Sequence, residues 1–496
     1  MSFRSDDSDK NENRLKKIKS SVLSRGLALA KVSVSAGARV ATHAVGTIFS
    51  NESDKAESYK ELLISQVEAL TRELGQLKGS LMKVGQLLSM HGEHFLPPEA
   101  NALLKSLQNQ SPPLDWKEME KVFKRQLTEE QLNSVEIHSK PIASASLGQV
   151  YRAVRKEDGR ALAMKVQYPG VDRAIEGDLK AMRSILSFSK LIPKGPKYDE
   201  LFHEVRAMLH QEVDYARELE LTQDFRNLLK NDSRYIVPEP ILNLSTRRIL
   251  TTSFEEGFAV DSPEVLGLSQ ERRNSLGVAF LDLYFRELFE FGQVQTDPHF
   301  GNYRVRLGTG ENAGMSFSAT SGTIPLNQAP GATDRLVLFD FGAVRKFPES
   351  FRKPYLEMLR GAMKRDVDQV IRGASGLNFI REEDSLELKK SFADLCFLIT
   401  EPFHSKPPSA PSGDTSEDSE VGIRSDLFES DGSYRWGDSD LSKRVARKGT
   451  ELAMAFRLRP PPREIVFLDR KMGGIFVILS VLKVCIKSRD VIERYI

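Results

Sequence analysis

Cysteine and net charge are both scarce in this chain. Only two of its 496 residues are cysteine, Cys396 and Cys485, and both stand in apolar surroundings. Two cysteines so placed exclude a cysteine-ligated metal site and are typical of reduced core residues in a cytosolic chain. The formal net charge of +2 gives no overall attraction to a polyanion, so we expect no nucleic-acid partner. The content of 40% hydrophobic and 28% charged residues predicts a soluble globular protein.

Long hydrophobic runs are missing as well. Residues 1–20 are charged and polar and lack the apolar segment of a secretory signal. The most apolar stretch near the C-terminus, residues 473–486, contains Lys483 and is too short to span a bilayer, which predicts a buried helix. Residues 24–49 combine basic residues with blocks of small apolar ones. They fit two alternatives: an amphipathic helix at a membrane interface, giving peripheral membrane contact, or a helix packed on the rest of the protein.

Hydrophobic periodicity predicts helices on both sides of a small region of strands. Apolar residues recur at spacings of four and three over residues 59–90, as in one long amphipathic helix, and Asp115 would cap a second helix over 115–133. Alternating residues then predict a hairpin with strands over 149–154 and 161–167. Further helices are predicted over 171–190, 198–229 and 270–292. Each of the segments 247–257 and 335–342 is predicted to be a strand that ends in a turn, and flexible low-complexity insertions are predicted over 308–333 and 405–440.

Glycine is missing from the stretch where a phosphate-binding loop would need it. "ASASLGQV" (143–150) keeps the spacing G-x-G-x-x-G-x-V, with Ala143 and Ala145 in place of the first two glycines. Alanine disfavours positive φ and adds a methyl group where backbone meets phosphate. We therefore expect a stiffer loop that holds a nucleotide differently from a glycine-rich one. Its predicted nucleotide-binding residues are Ala143, Ser144, Ala145, Ser146, Leu147, Gly148 and Val150.

Lys165 lies near the end of the second strand of the predicted hairpin, which begins at this loop. A lysine there is placed to contact phosphate oxygens, whereas a lysine taken alone is more often a solvated surface residue. Three acids of the predicted helix 198–229 are candidates to pair with it: Glu212, Asp214 and Glu218. On one helix Glu212 and Asp214 would point about 200° apart, so that several acids indicate more than one cationic or metal partner.

Two further segments carry groups used in phosphoryl transfer. In "QTDPHFGN", Asp297 and Asn302 have the spacing of a kinase Asp that orients or deprotonates the acceptor and an Asn that holds a metal ion. Gln295-Thr296 stands where His-Arg is usual, and an Asx-turn is the alternative interpretation. Asp340 of "LFDFG" follows a predicted buried strand, where a carboxylate can hold Mg²⁺ against nucleotide phosphates. The order of loop, strand lysine, acidic helix, Asp–Asn pair and DFG is that of a kinase fold.

Lys83 and Gln86 share one face of the first predicted helix, beside its apolar stripe. Their position around Gly85 indicates a polar contact that reaches toward the catalytic body. A solvated polar edge of the helix is the alternative, because most helical lysines are exposed.

Together these segments resemble the UbiB/AarF family of atypical kinase-like proteins, which is associated with ubiquinone (coenzyme Q) biosynthesis and other isoprenoid-lipid metabolism. The matching segments are "KVGQ" (83–86), "ASASLGQVYRA" (143–153), "MKVQYPG" (164–170), "EVDYARE" (212–218), "TDPHFGN" (296–302) and "LFDFG" (338–342). The resemblance covers roughly residues 60–490. It implies an α+β, bilobal protein-kinase-like fold with an N-terminal helical extension packed over the cleft.

The sequence patterns and the resemblance together predict a division of the chain into four parts. They are a disordered or amphipathic N-terminal segment (1–58), a helical extension with the KxGQ motif (59–134), a kinase-like N-lobe (135–255) and a kinase-like C-lobe with the two insertions (256–496).

The resemblance also implies roles residue by residue. Lys165 matches the strand lysine and Glu218 its usual partner, whereas Asp297 matches the catalytic Asp and Asn302 and Asp340 the metal ligands. The residues that match the family's own KxGQ and ExD motifs are Lys83, Gln86, Glu212 and Asp214.

The implied activity is that of an atypical kinase or ATPase that uses ATP or ADP with Mg²⁺ and acts on, or responds to, a lipid or a quinone precursor. Two alternatives stay open: a protein kinase that phosphorylates a protein in trans, and a non-catalytic scaffold switched by nucleotide. The absence of an obvious import sequence predicts a bacterial cytoplasmic protein, with the membrane contact of residues 24–49 as its peripheral association.

Overall fold

The computed structural model describes residues 80–92, 104, 113–145, 147–188, 192, 195–309, 333–404, 424–455 and 462–496. These residues fall into two compact units. The first holds the described residues up to Glu220 together with Glu239–Phe254, and the second holds Leu221–Pro238 and the described residues from Glu255 onward. The predictions for residues 1–58 and 59–79, including the segment 24–49, lie outside the described residues.

The first unit is built from helices around one antiparallel sheet. Its helices are α1 (Ser80–Gly92), α2 (Trp116–Gln126), α3 (Glu129–Asn133), α4 (Val171–Phe188), α5 (Pro196–Glu212) and α6 (Tyr215–Leu229), the last of which ends in the second unit. Helix α1 packs against α4 and α5. Leu81, Val84 and Leu88, the described members of the predicted stripe, are buried at this contact face.

The sheet of the first unit has the strand order β1-β2-β3-β5. Its strands are β1 (Val135–Ser144), β2 (Gly148–Arg155), β3 (Ala161–Gln167) and β5 (Ile249–Ser253), while β4 belongs to the second unit. The hairpin predicted from alternation is therefore confirmed, with Gly159 at φ 73° in its turn, where glycine adopts a positive φ without steric cost. The β2–β3 register pairs Val150 with Lys165, so the predicted loop and the predicted lysine lie side by side.

The single helix predicted over 115–133 is wrong, because the chain forms two helices there. Asp115 caps α2 as predicted, and its carboxylate accepts the backbone N–H of Lys117 at 2.9 Å. A capping box then starts α3: Thr128 Oγ1 accepts the N–H of Gln131 while Gln131 Oε1 accepts the N–H of Thr128. Because these two hydrogen bonds start a new helix at Thr128, α2 does not continue into α3.

The single helix predicted over 198–229 is also wrong. Helix α5 stops before Val213, whose carbonyl accepts a 2.6 Å hydrogen bond from the buried side chain of Gln167 on β3. Asp214 then accepts the N–H of Arg217 at 3.2 Å, as an N-cap does, and α6 begins. The break consists of side-chain hydrogen bonds, without a proline or a glycine to mark it in the sequence.

The second unit is mostly helical and holds three small sheets. Its helices are α7 (Pro263–Leu266), α8 (Gln270–Phe285), α9 (Glu349–Lys364), α10 (Val367–Gly376), α11 (Leu386–Ile399), α12 (Leu441–Ala455), α13 (Arg463–Val481) and α14 (Ser488–Ile492). Its strands are β4 (Tyr235–Ile236), β6 (Gln293–Gln295), β7 (Tyr303–Arg306), β8 (Arg335–Leu338), β9 (Val344–Lys346), β10 (Tyr434–Arg435) and β11 (Cys485–Ile486). They pair in the orders β4-β8-β7, β6-β9 and β10-β11.

Two predictions need correction in the second unit. The helix predicted over 270–292 is α-helical only to Phe285, because Arg286–Phe291 forms a π-helical turn that ends at Gly292 with φ 62°. The loose insertion predicted over 405–440 is folded over 424–440, where Tyr434 and Trp436 are buried. Residues 405–423 and 310–332 lie outside the described part of the chain.

The α+β class predicted from the sequence is confirmed by this mixture of helices and small sheets. The apolar run near the C-terminus lies mainly in α13, as predicted. No helix among the described residues is both long enough and apolar enough to cross a bilayer. Both cysteines are free; Cys396 is buried, but Cys485 is half-buried rather than a core residue.

Candidate functional site

The alanine-rich loop is a tight connection between β1 and β2. Ala143 and Ser144 are the last paired residues of β1, opposite Val150 and Gln149. The N–H of Ala145 donates to the carbonyl of Gly148 at 2.8 Å, which closes the turn. Among the described loop residues none has a positive φ, so alanine meets no backbone penalty here. Ser146 lies outside the described residues.

Gly148 is required for space. A Cβ at this position would lie 2.3 Å from the carbonyl oxygen of Val166 on β3 and 3.1 Å from the hydroxyl of Tyr215. Leu147, just before it, is buried, and its carbonyl accepts the N–H of Tyr168 at 2.9 Å. The one glycine that the loop retains is therefore the one that lets its end lie against β3.

We expect Gly148→Ala to destabilise the protein by about 1–3 kcal/mol, because the added methyl group meets backbone that can yield only if β2 separates from β3. The measurement is the urea midpoint at unchanged slope. Gly177→Ala in α4 is the control, since nothing lies within 4 Å of its added Cβ and alanine favours helix by about 1 kcal/mol.

Ala145→Gly should change nucleotide preference or turnover without unfolding the protein. Equal destabilisation by Gly148→Ala and Ala145→Gly would contradict the assignment of Gly148 to packing and of Ala145 to nucleotide binding.

Lys165 is held by an acid from α6. Its Nζ donates to both carboxylate oxygens of Glu218, at 2.7 and 2.9 Å, and lies 5.1 Å from the ring centroid of Tyr215. The Glu218 side chain is 3% exposed and that of Lys165 21%. A charge-assisted, two-oxygen contact with a buried acid fixes the ammonium group of a side chain that is itself partly exposed. Of the three candidate acids, Glu218 is the one that pairs with Lys165.

Glu212 has a different partner. Its Oε1 lies 2.7 Å from Nζ of Lys83 on α1, and the lysine side chain is only 10% exposed. Glu212 ends α5 and Asp214 precedes α6, so the two acids do not lie on one helix as the sequence predicted. Asp214 instead caps α6, the helix that carries Glu218. Gln86, one turn after Lys83, is half-buried on α1.

In the second unit, Asp297 lies in the connection after β6 and is held by two side chains. Its Oδ1 accepts a 2.6 Å hydrogen bond from Nη2 of Arg470, and its Oδ2 accepts one of 3.1 Å from Nδ2 of Asn302. Asn302 Nδ2 also donates to the carbonyl of Asp297 at 3.0 Å. Because the amide nitrogen of Asn302 faces Asp297, its amide oxygen is directed elsewhere.

Asp340 lies next to this segment through the β7–β8 pairing. Tyr303 pairs with Leu338, and the N–H of Phe339 donates to the carbonyl of Asn302 at 3.1 Å. Asp340 is half-buried, and its Oδ1 accepts the N–H of Gly342 at 2.9 Å. Neighbouring ends of two antiparallel strands thus carry the Asn and the Asp that the sequence predicted as metal ligands.

Lys471 is the centre of a buried polar cluster beside the segment that carries Asp297. Nζ of Lys471, which is 2% exposed, donates to the hydroxyl of Tyr303 at 2.9 Å and to Oε1 of Gln295 at 3.3 Å, and lies 3.7 Å from Oε2 of Glu287. Glu287 belongs to the π-helical turn. Burial raises the pKa of Glu287 to about 7, and the nearby ammonium of Lys471 opposes that shift. π-Helical turns are frequent at functional sites.

Sequence reasoning missed Arg470, Lys471 and Glu287. Arg470 is 173 residues from Asp297, and no local spacing connects them. Gly474 is also part of this contact, since a Cβ there would lie 2.2 Å from Cβ of Pro298. An Arg-Lys pair followed by two glycines inside a predicted helix was the available signal, because glycine in a helix needs a packing reason.

Comparisons with known proteins agree on one family. The description of the family model that matches residues 106–374, more than half of the chain, is "ABC1 atypical kinase-like domain". The chain is 27% identical over 496 residues to the probable serine/threonine-protein kinase abkA of Dictyostelium discoideum, covering 97% of this chain and 80% of that protein.

Two further relatives are called mitochondrial atypical kinases. The chain is 29% identical over 429 residues to atypical kinase COQ8B of Danio rerio, covering 86% of this chain and 60% of that protein. It is also 29% identical over 429 residues to atypical kinase COQ8 of Saccharomyces cerevisiae, covering 85% of this chain and 75% of that protein.

A solved structure has the same fold. The complex of Rv3197 with erythromycin from Mycobacterium tuberculosis aligns with a TM-score of 0.55 at 22% identity, over 89% of this chain and 98% of that one. At that identity the likeness concerns the fold alone. The domain match, the curated relatives and the motifs point the same way, and the chain belongs to the ABC1, or UbiB/AarF, family of atypical kinase-like proteins.

Proposed function

We propose that this protein is a Mg²⁺-dependent ATP-binding atypical kinase or ATPase that supports ubiquinone or other isoprenoid-lipid metabolism. The observation that carries the proposal is the contact of Lys165 with both oxygens of Glu218, on the strand next to the alanine-rich loop. A fixed ammonium group on a partly exposed side chain at this place is suited to nucleotide phosphates. The lipid side of the proposal rests on the family resemblance and on relatives named COQ8.

The residues of the second unit fit a magnesium ion. Asn302 and Asp340 supply amide and carboxylate oxygens, which Mg²⁺ prefers. The pairing of β7 with β8 keeps these two residues near each other. Among the described residues no group of three or more His, Cys, Asp and Glu side chains could hold a metal. An ion at Asn302 and Asp340 would therefore take its remaining ligands from phosphates and water, as Mg²⁺ does in kinases, and would neutralise phosphate charge there.

Asp297 has the role of orienting the attacking group in this proposal. Asn302 and Arg470 each hold one of its oxygens, so the carboxylate keeps a fixed direction before a substrate arrives. Fixed orientation lowers the barrier because little reorganisation remains at the moment of reaction. In this proposal Lys165 binds phosphate and Asp297 orients the nucleophile, the roles that the family resemblance gives to the strand lysine and to the catalytic Asp.

The test is ATP hydrolysis by the full chain with Mg²⁺ or EDTA, with and without anionic liposomes and phenolic quinone precursors. We expect turnover that requires Mg²⁺ and rises when liposomes or phenols are added. Efficient phosphorylation of a protein or peptide in trans would favour the protein-kinase alternative. Tight ATP binding with no turnover under every condition would overturn the proposal in favour of a nucleotide-switched scaffold.

A further inference from the structure

One face of helix α13 contacts the segment that carries Asp297 and Asn302. Arg470 and Gly474 are four residues apart and therefore lie on the same side of the helix, where they contact Asp297 and Pro298 in turn. The absence of a side chain at Gly474 lets Pro298 approach the helix, which brings the Asp297 carboxylate within reach of the Arg470 guanidinium. Both contacts hold the same short segment against α13.

Lys471 contacts a residue on each side of the segment from Asp297 to Asn302. Gln295 lies two residues before Asp297, and its Oε1 accepts both the N–H of Asp297 at 3.1 Å and Nζ of Lys471 at 3.3 Å. Tyr303 follows Asn302 directly, and its hydroxyl accepts from Lys471 at 2.9 Å. One buried ammonium group thus fixes the residues that precede Asp297 and follow Asn302.

We propose that Arg470 and Lys471 are positioning residues for the reaction, and that together they replace the His-Arg that precedes the Asp in ordinary kinases. Gln295 and Thr296 stand at those two places in this chain and cannot supply a cation. Arg470 sets the direction of the Asp297 carboxylate, and Lys471 sets the backbone that carries it. The inference rests on the proposed function, because positioning has meaning only if Asp297 acts in turnover.

A purely structural ion pair is the alternative, and it predicts different kinetics. If Arg470 only stabilised the fold, its loss would lower the unfolding temperature and leave kcat per folded molecule unchanged. If it positions Asp297, its loss lowers kcat while the KM for Mg-ATP stays nearly constant, because Arg470 bonds to Asp297 and the phosphate-binding Lys165 is untouched. The split between kcat and KM therefore separates the two.

The first experiment compares Arg470→Ala, Arg470→Lys and Arg463→Ala by steady-state ATP turnover in the full chain. Arg463 is the matched control, since it is an exposed arginine in the first turn of the same helix. We expect Arg470→Ala to lower kcat by about 100-fold, the usual cost of a misplaced reacting group. Arg470→Lys should recover part of the loss, and millimolar methylguanidine should raise the kcat of Arg470→Ala.

The second experiment tests Lys471. Lys471→Met alone leaves the Glu287 carboxylate buried without its ammonium partner, so the double variant Glu287→Gln/Lys471→Met is made beside it. We expect the double variant to fold and to lose kcat by about ten-fold at nearly unchanged KM. Hydrogen exchange of residues 295–303 should be faster than in wild type, and exchange of β3 should not change.

Each outcome decides something different. Turnover in wild type together with control-level kcat in Arg470→Ala and in the double variant overturns this inference and leaves the proposed function standing. A parallel rise in KM for Mg-ATP would assign these residues to binding and also overturns it. A wild-type chain without turnover overturns the proposed function, and the inference falls with it.

Discussion

Replacing Asp340 by Asn should lower Mg-ATP turnover by about 1000-fold, because one neutral amide oxygen replaces the carboxylate proposed to hold the metal against the phosphates. The fold should survive, since the amide oxygen of Asn can still accept the N–H of Gly342. The substitution removes the negative charge of residue 340 and changes the shape of its side chain very little.

The measurement for Asp340→Asn is the shift in unfolding temperature on adding Mg-ATP, together with kcat. Wild type should be stabilised by the bound nucleotide, and the variant should lose that shift at the same ligand concentration. Asp366→Asn is the matched control: Asp366 caps α10 by accepting the N–H of Gln369 at 2.9 Å, and Asn caps equally well. A full Mg-ATP shift in Asp340→Asn would refute its assignment as a metal ligand.

The largest effect on stability is expected at Arg444. Its guanidinium donates to both carboxylate oxygens of Glu401, at 2.6 and 2.8 Å, and the Glu401 side chain has no solvent exposure. The hydroxyl of Tyr434 and the N–H of Arg424 are the other donors to this carboxylate. Arg444→Ala removes the opposing charge and should lower the free energy of unfolding by about 3–5 kcal/mol, because a buried carboxylate stays uncompensated.

Two further variants serve as controls for the unfolding free energy of Arg444→Ala. Arg372→Ala breaks an ion pair of 3.2 Å with Glu357 whose side chains are 60% and 42% exposed, so it should cost at most about 1 kcal/mol. The double variant Glu401→Gln/Arg444→Met removes both buried charges and should be more stable than Arg444→Ala. Urea unfolding at constant slope gives the comparison. Equal costs for Arg444→Ala and Arg372→Ala would show that burial does not matter at Glu401.

The parts of the fold that sequence predicted are those set by local patterns. Alternation marked β2 and β3, and Asp115 marked the start of α2, because these signals lie within a few residues of what they determine. The predicted site residues were found the same way, since Lys165, Asp297 and Asp340 stand in short segments of fixed spacing. Their roles in catalysis stay predictions.

The parts that sequence did not predict depend on partners far away in the chain. The break between α5 and α6 follows from the Gln167 side chain, which is 46 residues from Val213 and satisfies its carbonyl. The contact of Arg470 with Asp297 joins two residues of the second unit that are 173 positions apart in the sequence. A helix pattern carries no information about which side chain of another element will reach it, so these features needed the structure.

The close approach of Pro298 to α13 limits how this protein can be engineered. Replacing helical glycines by alanine is a common way to raise the melting temperature, worth up to about 1 kcal/mol at each exposed site. Gly473 and Gly474 are neighbours in the same helix, yet the first has nothing within 4 Å of an added Cβ and the second would meet Pro298. Gly473→Ala should therefore raise the melting temperature. Gly474→Ala should lower it, because the added methyl group would displace the segment that carries Asp297.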